Sequence, residues 1–195
     1  MTIYDLKPKF QELLRPTLNA FYNRGITPNY ITLLALILSM AMGAAIWMTH
    51  GATWTLLLLP LFLFIRMALN AIDGLLAKEH NLQSDSGAML NEMGDILSDM
   101  ALYLPFAVIA GFDTVMIVTI VILAILSETV GILAWAIQGE RAYQGPMGKS
   151  DRAFAFGLMS VLYVALGLGV WIDVLLVVVI VLSLKTIYNR WRVVL

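Results

Sequence analysis

Apolar positions run along this chain in seven blocks, and the first differs in kind from the other six. Over residues 3–24, Ile3, Leu6, Phe10, Leu13, Leu14, Leu18, Phe21 and Tyr22 recur mostly at gaps of three and four, while Lys7, Lys9, Glu12, Arg15 and Arg24 take the opposite face. That period predicts an amphipathic helix, and an apolar stripe backed by basic residues lies in the headgroup plane rather than across a bilayer. Pro8 and Pro16 predict a break into two pieces, because proline lacks the N–H that a helix interior uses. The next six blocks, 30–49, 54–77, 88–110, 114–138, 153–170 and 173–189, are almost continuously apolar. About 20 residues cross a hydrocarbon core of about 30 Å, so they predict six transmembrane helices, the short fifth drawing on interfacial residues at its ends. Pro60 and Pro105 fall inside the second and third and predict kinks.

The expected fold is therefore an all-α integral membrane protein: an amphipathic juxtamembrane helix over 1–26, then a six-helix transmembrane domain over 27–195. Composition agrees. Of 195 residues 61% are hydrophobic and 13% charged, more apolar surface than a soluble fold of this size hides. The opening MTIYDLKPKF lacks the apolar run of a signal peptide. The basic residues sort by side. Lys7, Lys9, Arg15, Arg24, Lys78, Arg141, Lys149, Arg152, Lys185, Arg190 and Arg192 share one face, and the opposite turns THGAT, GFD and VWID carry no Lys or Arg. The positive-inside rule then places both termini and the 79–86 and 139–152 loops in the cytoplasm. Trp47 and Trp54 flank the first outer turn as interface anchors.

Several functions fall away. A net charge of −1 argues against bulk electrostatic binding of nucleic acid. With no cysteine there are no disulfides, thiolate metal sites or cysteine nucleophiles. His50 and His80 lie too far apart in sequence to suggest a His-rich zinc site. No internal repeat supports an inverted-repeat transporter.

What remains is a stretch of polar residues at membrane depth, where ionisable side chains are costly and by default mark a site. On the second span Arg66, Asn70, Asp73 and Ala77 share a face; on the third, Gly87, Asn91, Asp95 and Asp99 do. If the two spans are antiparallel neighbours, Asn70, Asp73, Asn91 and Asp95 converge near the cytoplasmic surface. Oxygen donors without thiolates or paired imidazoles suit a hard cation such as Mg²⁺ or Mn²⁺. Gly74 and Gly87 leave room for a bulky ligand beside the backbone. The bland alternatives are a structural ion pair for Asp73 and Asp95, a buried Asp99 or Glu128 partner for Arg66, and a helix-packing or subunit contact for Glu128. Lys149 and Arg152 have the alternative of acting only as topology determinants in a cytoplasmic loop.

The spacing resembles the signature of the CDP-alcohol phosphotransferases (CDP-alcohol phosphatidyltransferases), D-x2-D-G-x2-A-R-x8-G-x3-D-x3-D. Here it reads Asn70-x2-Asp73-Gly74-x2-Ala77-Lys78-x8-Gly87-x3-Asn91-x3-Asp95, with every interval kept and three positions changed. Pro28-Asn29-x2-Thr32 and Gly148-Lys149 match further family features. The resemblance implies that a CDP-linked lipid such as CDP-diacylglycerol gives its phosphatidyl group to an alcohol, with release of CMP. It implies two divalent cations on the diphosphate, held at positions 70, 73, 91 and 95, with Asp95 a ligand or the general base. Substrate would meet Gly74, Ala77, Lys78, Gly87, Asn29, Thr32, Arg66, Asp99, Lys149 and Arg152. A homodimer in the inner membrane of a bacterium is implied as well, packed through the third and fourth spans, where Ala110, Gly111, Ser127, Gly131 and Ala134 allow close approach.

The departures change the chemistry expected. Asn70 and Asn91 keep a carbonyl oxygen but lose a charge, so the motif supplies two negative charges where four acids would supply four. Two Mg²⁺ ions would be poorly compensated there. The expectation is one firmly held metal and a second that enters with the substrate's diphosphate. Glu92 points about 100° away from Asn91 on an ideal helix, while Asp99 lies one turn deeper on the right face. Lys78 keeps the charge of the usual arginine but not its bidentate fork. The two asparagines also motivate a second reading, a catalytically silent relative that binds CDP-lipid as scaffold or partner subunit. An ion-coupled transporter ranks last, since the acids cluster near one face of the membrane.

Overall fold

The computed structural model describes residues 3–195, with side chains from Phe10 onward. Among these residues the regular structure is helical throughout: α1 (Ile3–Asn23), α2 (Pro28–Met48), α3 (Thr53–Glu79), α4 (Asp85–Tyr103), α5 (Thr114–Gln138), α6 (Lys149–Leu166) and α7 (Trp171–Arg192), with a 3₁₀ turn over Leu104–Val108. Each block of the apolar pattern is thus a helix. α2, α3, α5 and α7 are long and apolar enough to cross a membrane. α4 and α6 interrupt their apolar character with the acids Glu92, Asp95 and Asp99 and with Lys149, Asp151 and Arg152, so the two weaker candidates are the two that carry charge inward.

Helix ends follow local chemistry. Ser84 accepts the amide of Gly87 to start α4, Asp113 accepts that of Met116 to start α5, and Gly139 ends α5 in the left-handed region at φ 80°. Several boundaries differ from the sequence expectation, among them the end of α6 at Leu166 instead of 170. α1 runs unbroken through Pro8 and Pro16. Pro16 is exposed, so the carbonyl of Glu12 that it leaves without an N–H faces the polar side, where water can satisfy it. The third span ends as α-helix at Tyr103 and tightens to 3₁₀ around Pro105 instead of continuing to 110. α6 starts at Lys149, four residues earlier than expected, so Lys149 and Arg152 belong to its first turn and not to a loop.

α2 packs against both α3 and α4, α3 against α6, α5 against α7, and α1 lies along α3. The α2–α4 crossing is close: a Cβ on Gly43 would sit 1.9 Å from the carbonyl oxygen of Ala101. The main core is aromatic at its centre, with Tyr103 stacked on Phe156 at 4.2 Å and Phe106 edge-on to Phe156 at 5.0 Å. A smaller cluster of Leu18, Ile31, Ile72 and Leu76 ties α1 to the ends of α2 and α3. The stack of Tyr22 on His80 at 3.6 Å and the Arg15–Glu79 ion pair at 3.2 Å hold the same junction. Of the small residues expected at a dimer contact, Ser127, Gly131 and Ala134 are buried within the chain. The closeness they permit is internal, since a Cβ on Gly131 would lie 2.8 Å from the carbonyl oxygen of Ala142.

Candidate active site

α3 and α4 are joined by a short turn in which Asn81 takes φ 55°, a conformation its small polar side chain tolerates. The turn makes the helices antiparallel neighbours, and the i, i+3 and i+4 spacings bring their polar faces together. Asn70 Nδ2 donates to Asp95 Oδ1 at 2.9 Å. Asp73 is buried, and its Oδ2 accepts from Thr32 Oγ1 at 2.7 Å. Thr32 lies one turn into α2 after Pro28, so the start of α2 sets the rotamer of a carboxylate on α3. A Cβ on Gly87 would lie 2.8 Å from Asn29 Oδ1, so this glycine admits the α2 side chain against α4.

These helix ends surround a cleft of ≈ 490 Å³. Asn29, Thr32, Asp73, Gly74, Ala77, Gly87 and Asn91 line it, as do the 83–85 turn and Trp135 of α5. A Cβ on Gly74 would meet nothing within 4 Å, so the α3 backbone is open to a ligand there. Asp95 lies just behind this wall, its side chain 12% exposed. Lys78 is exposed and outside the cleft lining.

Beneath the cleft is a buried ion network. Arg66 donates to Asp99 Oδ1 at 2.7 Å and to the backbone oxygen of Asp95 at 3.2 Å, with its Nη2 3.6 Å from Asp95 Oδ1. Arg152, 1% exposed, meets Asp99 Oδ2 through Nε at 3.0 Å and Nη2 at 2.9 Å, and Glu128 Oε1 at 2.8 Å. Glu128 Oε2 in turn faces Arg141 at 2.8 Å and Arg190 at 3.4 Å. Arg141 also lies 2.7 Å from Glu92, an ion pair without hydrogen-bond alignment. Burial disfavours the Arg141 cation, but Glu92 beside it, with Tyr143 and Glu128, holds the guanidinium above its ordinary value. Lys149 Nζ contacts Asp95 Oδ2. Five acids, Asp73, Glu92, Asp95, Asp99 and Glu128, are thus set among five cations, Arg66, Arg141, Lys149, Arg152 and Arg190.

The structure therefore separates the residues that sequence spacing grouped. Asn70, Asp73, Asn91 and Asp95 come together, with the cleft in front. Arg66, Asp99 and Arg152 are occupied by protein partners in the layer behind, Glu92 turns to Arg141, and Glu128 is the hub of three guanidiniums. Trp135 as a cleft wall and Arg190 as a network member escaped the sequence reading. Trp135 had no signal beyond its place at the end of an apolar helix, and Arg190 read only as a topology charge.

A metal would have to use this oxygen set. Among the described residues no three Asp, Glu, His or Cys side chains group to hold an ion. Asp73 with the amide oxygens of Asn70 and Asn91 makes a hard-donor set suited to one Mg²⁺ or Mn²⁺. Asn70 has given its nitrogen to Asp95, which leaves its carbonyl oxygen as the free donor. Both carboxylate oxygens of Asp95 are already engaged. Asp73, Asn70 and Asn91 thus supply the oxygen donors for a divalent ion.

The family model for CDP-alcohol phosphatidyltransferases matches residues 25–186. The chain belongs to that family. Among its relatives, the inner membrane protein YnbA of Escherichia coli (strain K12) is 46% identical over 196 residues, which is all of this chain and 97% of that protein. An uncharacterized protein of Aquifex aeolicus (strain VF5) is 37% identical over 101 residues, 52% of this chain and 47% of the relative. Phosphatidylinositol phosphate synthase (PgsA1) of Mycobacterium tuberculosis with CDP-DAG bound superposes with a TM-score of 0.76 at 18% identity over 92% of each chain. The same enzyme in complex with manganese and citrate gives 0.75 at 18% identity, over 92% of this chain and 87% of that one. At this identity the likeness establishes the fold, which is that of the family.

Proposed function

We propose that the protein transfers a phosphatidyl, or other substituted phosphate, group from a CDP-linked lipid such as CDP-diacylglycerol to an alcohol and releases CMP. The observation that carries this reading is the cleft itself. It is lined by Asp73 and Asn91 together with the bare backbone at Gly74, and Asp95 lies immediately behind. In this reading α4 and α6 also span, giving six transmembrane helices with α1 in the interface, both termini cytoplasmic and the cleft facing the cytoplasm of the inner membrane. The inner-membrane relative and the one-sided basic residues support that placement.

The side chains divide the work. The wall at Gly74, Ala77 and Gly87 admits the nucleotide. Lys149 lies within reach of the diphosphate charge, and Thr32 keeps the Asp73 carboxylate aimed at it. The acceptor oxygen attacks the lipid-bearing phosphorus, its proton passes to the Asp95 carboxylate, and the bond to the departing CMP oxygen breaks. Asp73, Asn70 and Asn91 would hold a Mg²⁺ or Mn²⁺, which would supply charge neutralisation to the diphosphate. Asp95 is held by Asn70, Arg66 and Lys149, which fixes the position of the base before substrate arrives. The test is CMP release by purified protein from CDP-diacylglycerol with a panel of alcohols and divalent metal. Release that Asp95→Asn lowers by about 10²–10⁴-fold is expected; no release with any donor and acceptor, beside an active family member, refutes it.

A second reading, a silent CDP-lipid-binding scaffold, is favoured by the same two asparagines and by the occupied oxygens of Asp95. It predicts CDP binding with cellular lipid profiles unchanged by Asp95→Asn.

A further inference from the structure

We infer that Lys149 is a built-in cation that takes the second cation place of this site, so that the protein holds a single divalent ion. This rests on reading the cleft as a diphosphate site. The ammonium contacts Asp95 Oδ2, while Asn70 donates to Oδ1 with Arg66 Nη2 at 3.6 Å, so a metal approaching Asp95 would meet positive charge already beside both oxygens.

Nor is Lys149 a free surface lysine. Its side chain is 27% exposed, and its backbone is clamped on both sides. Thr186 accepts the amide of Met147 at 2.8 Å, Asp151 accepts that of Gly148 at 2.9 Å, and the Arg152 side chain is locked below. The first turn of α6 therefore fixes the backbone from which the ammonium reaches Asp95.

Asn70 matches this arrangement. A carboxylate there would face Asp95 as a like charge and need a metal between them, whereas the amide donates to Asp95 and needs none. Overall charge agrees. The five acids and five cations already balance, so two divalent ions would leave a large excess in a low-dielectric layer. One divalent ion is matched by the diphosphate that brings it.

The test counts ions on the full-length protein in detergent, using Mn²⁺ with CDP as the soluble diphosphate and electron paramagnetic resonance as the readout. Wild type is expected to bind one Mn²⁺ per chain. Lys149→Met, which frees Asp95, should bind two, and Lys149→Arg should stay at one, with thermal unfolding run to show that each variant is folded. Zero or two Mn²⁺ on wild type, or one on folded Lys149→Met, overturns the inference. Because wild type alone can overturn it, a variant that fails to fold does not shield it. CDP binding with and without metal is measured alongside, so a cleft that binds no CDP under either condition sinks the proposed function separately from the ion count.

Discussion

The two halves of the polar interior differ in spare bonding capacity. In the layer formed by Asp99, Glu128, Arg66, Arg152 and Arg190, all four carboxylate oxygens have a protein partner within 3.4 Å, and each guanidinium has at least one. In front of it, Asn91, one oxygen of Asp73 and the bare backbone at Gly74 face an open cleft. The saturated layer is the richer in charge and the poorer in chemistry. Charge at membrane depth marked the region, but unfilled donor and acceptor capacity marks the site within it. A buried ion pair also makes a rigid base, because moving any member strands another in low dielectric.

The comparison can be broken most severely from behind. Arg152→Ala removes the guanidinium that both Asp99 and Glu128 use, leaving two buried carboxylates short of a partner. A loss of about 3–5 kcal/mol is expected, read as a large fall in Tm in detergent, with activity lost only because the fold is. Asp73→Asn should do the reverse. It leaves the network intact, so Tm should change little, while Mn²⁺ affinity and CMP release fall together, release by about 10²–10³-fold. If Asp73→Asn instead unfolds the protein, the carboxylate is structural and the division between the layers is wrong. Thr32→Val is the mildest. It deletes the 2.7 Å hydrogen bond to Asp73 and keeps the shape, so about a tenfold loss in Mn²⁺ affinity with a small change in Tm is expected. An unchanged Mn²⁺ affinity would show that Asp73 needs no help from α2.

Much of this was legible in residue order. The apolar blocks located all seven helices, and the intervals between Asn70 and Asp95 placed four oxygen-bearing side chains on two facing helices. Both are local facts, since helical rise and twist make residues three and four apart neighbours whatever surrounds them. The limits appeared where a choice depended on distant packing. Pro16 predicted a break that solvent exposure of its turn made unnecessary. Arg66 had Asp99 and Glu128 as candidate partners, and the packing of α6 decided it by bringing Arg152 to bridge both acids. Lys149 looked like a loop cation for a substrate phosphate, and the first turn of α6 aims it at Asp95.

The linear sequence by itself settled helix content, the facing pair α3 and α4, and membership in a family whose motif spacing survives substitution. Only the tertiary structure decided which charges are consumed internally and which remain for a ligand. The reason is physical: an ion pair or hydrogen bond forms or fails over less than an ångström. The positions of Asp95 and Lys149, 54 residues apart, are set at that precision by the packing of five other helices.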